Sequence, residues 1–167
     1  TVLVTGVKRD IALLDRVAAE RGDAVTVLDI SLAVNRPALL RLLAAGVSVQ
    51  YFDHHYAGDV PIRPALDAHV DTAPGICTGM LVDRHLGGRH RVWAVVAAFG
   101  DNLVAAARKL AEPLALPEAR LAGLRELADC LTYNSYSDDP ADAIVPPVEL
   151  YRTLLRAADP LAFVDTD

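Results

Sequence analysis

The sequence predicts an α/β protein, with a parallel β-sheet flanked by helices and a helical second half. Two observations lead to this prediction. Up to about residue 72, short β-branched runs alternate with runs whose apolar residues recur at helical spacing. From residue 73 onward almost every segment has helical spacing. Alternating strands and helices typically form a doubly wound parallel sheet with right-handed crossovers, and we expect residues 1–167 to form a single domain.

Three runs in the first part of the chain have the β-branched and aromatic composition of strands. They are "TVLVTG" (1–6), "AVTVLDI" (24–30), in which the apolar run ends at Asp29, and "VSVQYF" (47–52), which leads into Asp53, His54 and His55. The carboxyl ends of parallel strands meet at one edge of a sheet, where functional groups gather. We therefore expect Asp29 and the Asp53-His54-His55 triplet to share that edge.

Helices are predicted between these strands and throughout the second half. The first two cover "DIALLDRVAAERGD" (10–23) and "RPALLRLLAAG" (36–46), the latter with Pro37 in its first turn. The run "WAVVAAF" (93–99) fits either a buried helix or a fourth strand, and its frequent alanines favour a helix. It ends at Gly100, Asp101 and Asn102. The remaining helices are expected within 73–88, 102–112 and 117–131, and a proline-containing loop at 137–147.

Three acidic positions follow apolar segments and carry groups that bind divalent cations. They are Asp29, the Asp53-His54-His55 triplet and Asp101. Carboxylate and imidazole ligands suit Mn²⁺ or Mg²⁺, and the absence of a thiolate among them argues against a structural zinc site. An isolated Asp after a strand is usually a turn or cap residue, so it is their joint placement that indicates a metal site.

Composition limits the classes of partner. The net charge is −6, with 14 Arg and two Lys and no basic run, which argues against a surface for long nucleic acids. An anionic substrate would be held by a few arginines or by bound metal. The two cysteines form no disulfide framework, and no apolar run is long enough to cross a membrane. We expect a cytoplasmic protein, and the sequence leaves its oligomeric state open.

Four segments in order resemble motifs of the DHH phosphoesterase superfamily. They are "VLDIS" (27–31), "FDHH" (52–55), "CTGMLVD" (77–83) and "AAFGDN" (97–102). The superfamily includes RecJ-type exonucleases, oligoribonucleases, family-II pyrophosphatases and exopolyphosphatase-like proteins. The resemblance covers about residues 1–136 and implies a DHH catalytic domain that hydrolyses phosphoester or phosphoanhydride bonds. The implied substrates are phosphorylated small molecules or short single-stranded oligonucleotides.

The resemblance also implies roles for individual residues. Asp29 matches a carboxylate that bridges two Mn²⁺ or Mg²⁺ ions, and His54 and Asp101 match further metal ligands. Asp53 matches either a ligand or a partner of one, and His55 matches a catalytic residue near the scissile phosphate. Two such cations polarise a phosphoryl group and activate a water molecule for attack.

One motif of the superfamily has no counterpart here. An Asp-x-Asp at the end of the first strand supplies ligands to both metals, whereas "VLVTGVKRD" contains only Asp10. The expectation is that "TVLVTG" corresponds to the second strand of the family, that the Asp-x-Asp segment lies upstream of Thr1, and that a substrate-binding domain follows Asp167. The segment by itself would then be poorly active.

Weaker candidates for substrate contacts lie in the helical half. Arg84 and Arg89 flank a glycine pair and can contact phosphate, although a solvated basic turn between helices is the more common role. Asn134, beside two tyrosines, is a further candidate. His69 is expected at the surface, and Cys77 and Trp93 in the core. Two alternatives stay open: a non-catalytic domain of the same fold that binds a nucleotide or partner, and an unrelated doubly wound module.

Overall fold

A computed structural model describes residues 1–136, 143–156 and 159–164, the side chain of Phe163 excepted. It is an α/β structure. The strands are β1 (Ala24–Leu28), β2 (Ser48–Asp53) and β3 (Leu66–Val70). The helices are α1 (Leu32–Ala44), α2 (Thr78–His85), α3 (Arg91–Gly100), α4 (Val104–Ala111), α5 (Glu118–Asn134), α6 (Pro147–Leu154) and α7 (Pro160–Val164), with 3₁₀ turns at Leu13–Arg16 and Glu112–Leu114.

The chain divides into two compact units. The first consists of Thr1–Val4 and Asp10–Pro74 and contains the sheet and α1. The second consists of Thr5–Arg9 and the described residues that follow Pro74, and it contains helices α2 to α7. The prediction of a parallel sheet followed by a helical half is therefore confirmed.

The sheet of the first unit has the strand order β1-β2-β3, and both pairs of strands are parallel. Val27 lies opposite Tyr51, and Tyr51 lies opposite Ala68. The apolar residues of one sheet face pack against α1, as expected for a strand–helix–strand unit that buries its apolar face. This core contains Leu14, Val27, Leu32, Ala38, Leu39, Leu42, Val47, Val49, Tyr51 and Ala57.

The predicted first strand at residues 1–6 is wrong, because this segment has no regular secondary structure. The side chain of Val2 is 90% exposed. A strand is stable only when a neighbouring strand pairs with its backbone, and β1 of the described sheet pairs with β2 alone. The composition of the segment is that of a strand, but in the described chain it has no strand partner.

The predicted helix at residues 10–23 is also wrong and is reduced to the 3₁₀ turn at Leu13–Arg16. Side chains of α1 bind the backbone groups that an α-helix would use internally. Asn35 Nδ2 donates to the Ile11 carbonyl (2.7 Å), and Asn35 Oδ1 accepts from the Leu14 N–H (3.2 Å). Asp15 N–H instead donates to the Ala12 carbonyl, as in a 3₁₀ turn.

The second predicted helix exists, but it begins at Leu32 rather than at Arg36. Pro37 is therefore inside the helix and not in its first turn. The earlier start is explained by a contact that is remote in sequence, because Asp53 Oδ2 accepts a hydrogen bond from the Leu32 N–H (3.3 Å). A carboxylate at this position satisfies one of the free N–H groups of the first helical turn.

Strand β3 was missed by sequence reasoning, and with it the position of His69. This residue lies on β3 opposite Phe52, and the two rings are stacked with their centroids 4.6 Å apart. His69 is half-buried, so only part of its side chain lies at the surface, where the sequence placed it. The run "LDAHV" is short and contains an Asp and a His, and its pairing with β2 determines its conformation.

The second unit is helical, and "RVWAVVAAFG" forms helix α3, which confirms the prediction of a helix over a strand. Its core includes Cys77, Val95, Phe99, Leu124 and Ala128, with Trp93 packed against it. Of the predicted loop at 137–147, residues 137–142 lie outside the described residues, and α6 begins at Pro147. Among the described helices, none combines the length and apolar character needed to cross a membrane.

We predict that Asn35→Ala lowers the free energy of unfolding by about 2 kcal/mol, because it leaves the buried N–H of Leu14 and the carbonyl of Ile11 without their partner. Chemical denaturation measures this change. Val34→Ala, at an exposed position on the same helix, is the matched control and should change stability by less than about 0.5 kcal/mol. Equal effects of the two variants would contradict the role assigned to Asn35.

Candidate functional site

The carboxyl ends of β1 and β2 bring together the residues of the predicted site that lie in the first unit. Asp29 follows β1 directly and has a φ of 62°, in the left-handed region. Asp and Asn adopt this conformation more readily than other residues with a side chain. The Asp29 N–H donates to the Phe52 carbonyl (3.0 Å), so the turn after β1 begins next to the last residues of β2.

The next three residues are also hydrogen-bonded to the segment at the end of β2. The Tyr51 hydroxyl donates to the Ile30 carbonyl (2.8 Å), and the Ser31 hydroxyl donates to the Tyr56 carbonyl (2.8 Å). The Leu32 N–H donates to Asp53 Oδ2. Each residue of the connection between β1 and α1, and the first residue of α1, is thus hydrogen-bonded to β2 or to the loop that follows it.

The two histidines of the triplet contact different carboxylates. His54 Nε2 lies 3.4 Å from Asp29 Oδ1, and His55 Nδ1 lies 2.7 Å from Asp53 Oδ1. The two imidazole rings meet edge to face, with their centroids 4.4 Å apart. Since both rings follow β2 and Asp29 follows β1, the adjacent parallel strands position all three side chains.

Asp29, His54 and His55 form a group that could hold a cation. Each offers one ligand atom, and these atoms lie within 4.8 Å of one another. The side chains of Asp29 and His55 are about half exposed, and that of His54 is 21% exposed, so the group is open to solvent. One carboxylate and two imidazoles fit Mn²⁺ better than Mg²⁺, because Mg²⁺ prefers oxygen ligands.

Asp53 differs from the other members of the triplet because its side chain is completely buried. Its Oδ1 accepts a hydrogen bond from the backbone N–H of His55 and contacts the ring Nδ1 of the same residue, and its Oδ2 accepts a hydrogen bond from the Leu32 N–H. The neighbouring Tyr51 is also buried. Burial raises the pKa of the Tyr51 phenol well above its ordinary value, and the charge of Asp53 raises it further.

The other predicted site residues belong to the second unit. Asp101 is exposed and follows the last residue of α3, where its N–H donates to the Ala97 carbonyl. Arg84 is exposed in the last turn of α2. Arg89, between α2 and α3, is exposed and donates through Nε to the Leu86 carbonyl (3.0 Å). A metal-binding role for Asp101 and phosphate contacts for the two arginines stay predictions.

The side chain of Asn134 forms hydrogen bonds with the backbone of the second unit. Its Nδ2 donates to the Val145 carbonyl (2.8 Å), and its Oδ1 accepts from the Val145 N–H (2.9 Å). Both functional groups of the amide are therefore used to fasten the segment before α6 to the end of α5. This geometry favours a structural role over the predicted substrate contact.

Sequence reasoning missed the polar residues that support the site. Asn35 and Tyr51 are buried and hydrogen-bonded to the 3₁₀ turn and to the β1–α1 connection, respectively. A polar residue within an apolar helix, such as Asn35, is a usable indication of a buried hydrogen bond. In the second unit, Asp83 was quoted only as part of a motif, although it is buried and paired with Arg91.

Comparison of the chain with protein-family models, with curated proteins and with solved structures finds no match. Its function must therefore be argued from its own residues and their geometry.

We predict that the Tyr51 phenol stays protonated at pH values where an ordinary phenol ionises, near pH 10. Because its folded-state pKa is raised, the stabilisation is present below pH 10 and decreases as the pH rises above it. Tyr51→Phe should lower the free energy of unfolding by about 1 kcal/mol at pH 8. This difference should shrink towards pH 11 in urea denaturation. A constant difference across this range would contradict the raised pKa.

Proposed function

We propose that this chain is a metal-dependent phosphoesterase of the DHH type, with a doubly wound sheet and a Mn²⁺ or Mg²⁺ centre at the carboxyl ends of β1 and β2. The observation that carries the proposal is the clustering of Asp29, His54 and His55, whose ligand atoms lie within 4.8 Å of one another. These residues come from two motifs that are 25 positions apart in the sequence. Two arguments support a metal site at these residues. One is the resemblance of the two motifs to the DHH superfamily, and the other is the clustering of the three side chains.

The residues of the first unit divide into distinct roles. Asp29 and His54 would hold the cation, and a cation bound there would supply Lewis acidity and lower the pKa of a bound water. His55 uses Nδ1 to contact Asp53 and is about half exposed, so its Nε2 can accept a proton from a water molecule near the scissile phosphate. The resemblance alone implies Asp101 as a further ligand.

The proposed substrates are phosphorylated small molecules, short single-stranded oligonucleotides or polyphosphates. The chain carries a net charge of −6 and no basic run, so long-range attraction of a long polyanion is not part of the proposal. Bound cations would instead neutralise a terminal or short phosphate group locally. A second cation is expected from the resemblance, with ligands from the Asp-x-Asp motif of the superfamily.

The second candidate function is binding without hydrolysis. It is favoured by one observation, namely that no Asp-x-Asp follows the first strand-like run of the sequence. A domain with a single cation site can bind a phosphorylated ligand through that cation without the second metal that hydrolysis requires. The two candidates predict the same metal binding but different turnover.

We predict that the chain binds Mn²⁺ and that Asp29→Asn weakens this binding by about 100-fold or more, because even partners outside the ligand set change metal affinity about 10- to 100-fold. Asn tolerates the left-handed backbone of residue 29, so this variant should fold. Asp59→Asn, which neutralises an exposed carboxylate in the loop after β2, is the matched control. Calorimetric titration with Mn²⁺ measures the affinities, and equal affinities of the two variants would contradict the site.

We predict Mn²⁺-dependent release of phosphate or nucleotide from a panel of dinucleotides, nucleoside phosphates, pyrophosphate and short polyphosphate. Turnover should be low for residues 1–167 and should increase in a longer polypeptide that supplies the Asp-x-Asp acids. Asp29→Asn and His54→Ala should abolish this turnover while the circular dichroism spectrum is unchanged. A longer polypeptide that contains both acids, binds Mn²⁺ and cleaves nothing in the panel would favour the binding function.

A further inference from the structure

The buried carboxylate of Asp53 has a hydrogen-bonding arrangement unlike that of the proposed metal ligands. Its side chain has no exposed surface, and both of its oxygens accept hydrogen bonds from the protein. The neighbouring Asp29 and His55, by contrast, are about half exposed. The cluster whose ligand atoms lie within 4.8 Å of one another consists of Asp29, His54 and His55, and it does not contain Asp53.

The contacts of Asp53 determine which nitrogen of His55 carries the proton. An ionised carboxylate only accepts hydrogen bonds, so the 2.7 Å contact requires a proton on His55 Nδ1. The neutral ring then presents the lone pair of Nε2. The backbone N–H of His55 donates to the same oxygen at 3.2 Å and limits rotation of the residue about Asp53.

The other oxygen of Asp53 connects this ring to α1. The Leu32 N–H is in the first turn of the helix and donates to Asp53 Oδ2. Ser31, which precedes the helix, makes no capping bond with its side chain, so the carboxylate from β2 takes a position that a cap residue usually fills. The positive end of the helix dipole and three N–H donors compensate the buried negative charge.

We infer that Asp53 is a positioning residue and not a metal ligand: it holds His55 in the Nδ1–H tautomer, in which Nε2 keeps its lone pair. The consequence for the proposed phosphoesterase is that Asp53 acts only through His55. The role of His55 in turnover rests on the proposed function, whereas the tautomer and the hydrogen bonds do not.

The test is NMR of the metal-free chain labelled with ¹⁵N-histidine, at about pH 8.5, where an ordinary imidazole is neutral. Long-range ¹H–¹⁵N correlations distinguish the two tautomers, and His55→Gln assigns the signal. We expect His55 of the unmodified protein to be in the Nδ1–H form. An Nε2–H form in the unmodified protein would overturn the inference, whether or not any variant folds.

Asp53→Asn provides the second measurement. In the native protein, donors approach both oxygens of Asp53. Asn has only one acceptor oxygen and cannot serve all of them. We therefore expect the Nδ1–H population of His55 to fall and the Nε2–H form to appear. Ser31→Ala is the matched control, because it removes the neighbouring hydrogen bond to Tyr56 and should leave the tautomer unchanged. An unchanged tautomer in folded Asp53→Asn would reduce Asp53 to a structural cap and overturn the inference.

Measuring the Mn²⁺ affinity of variants shows whether Asp53 only positions His55 or binds the metal directly. Asp53→Asn should weaken Mn²⁺ binding by less than Asp29→Asn does. Equal losses of Mn²⁺ affinity in the two variants would identify Asp53 as a ligand and overturn the inference. In a polypeptide that shows turnover, Asp53→Asn should lower kcat about 10- to 100-fold. Absence of turnover in every protein would contradict the proposed function but would leave the tautomer result intact.

Discussion

The candidate site depends on the hydrogen bonds that fasten the β1–α1 connection to the end of β2. Four consecutive residues, 29–32, each bond to this end or to the loop after it, through one backbone pair and through the side chains of Tyr51, Ser31 and Asp53. Because two turns of the chain are joined over such a short distance, Asp29 and His54 are held together. Without these bonds, each turn would be an ordinary exposed loop with its own polar residues.

The buried charge of Asp53 is the least usual component of this arrangement. Removing a carboxylate from water is unfavourable unless hydrogen bonds and nearby positive charge compensate it. Here the first turn of α1 and the backbone and ring of His55 provide that compensation. Burial raises the pKa of the adjacent Tyr51, and the charge of Asp53 raises it further. Asp53 therefore interacts with the start of α1, with a core residue and with His55 of the site.

The proposed chemistry is consistent with the charge of the whole chain. A protein with a net charge of −6 repels phosphorylated substrates unless positive charge is supplied locally. A cation held by the cluster of Asp29, His54 and His55 would supply it in the proposed function. Two arginines of the second unit have other partners, because Arg91 is paired with the buried Asp83 and Arg89 donates to a backbone carbonyl.

The sequence by itself determined the strands β1 and β2, the helical second half, and the placement of Asp29 and His54 at one sheet edge. These features follow from local composition and from the rule that parallel strands end on the same side. Three features were determined only by the tertiary structure. The segment "TVLVTG" forms no strand, a 3₁₀ turn replaces the helix predicted at 10–23, and β3 pairs with β2. In each case a partner that is distant in sequence, or the lack of one, outweighed local propensity. The burial of Asp53 likewise depends on Leu32, 21 positions earlier, and no local pattern contains that contact.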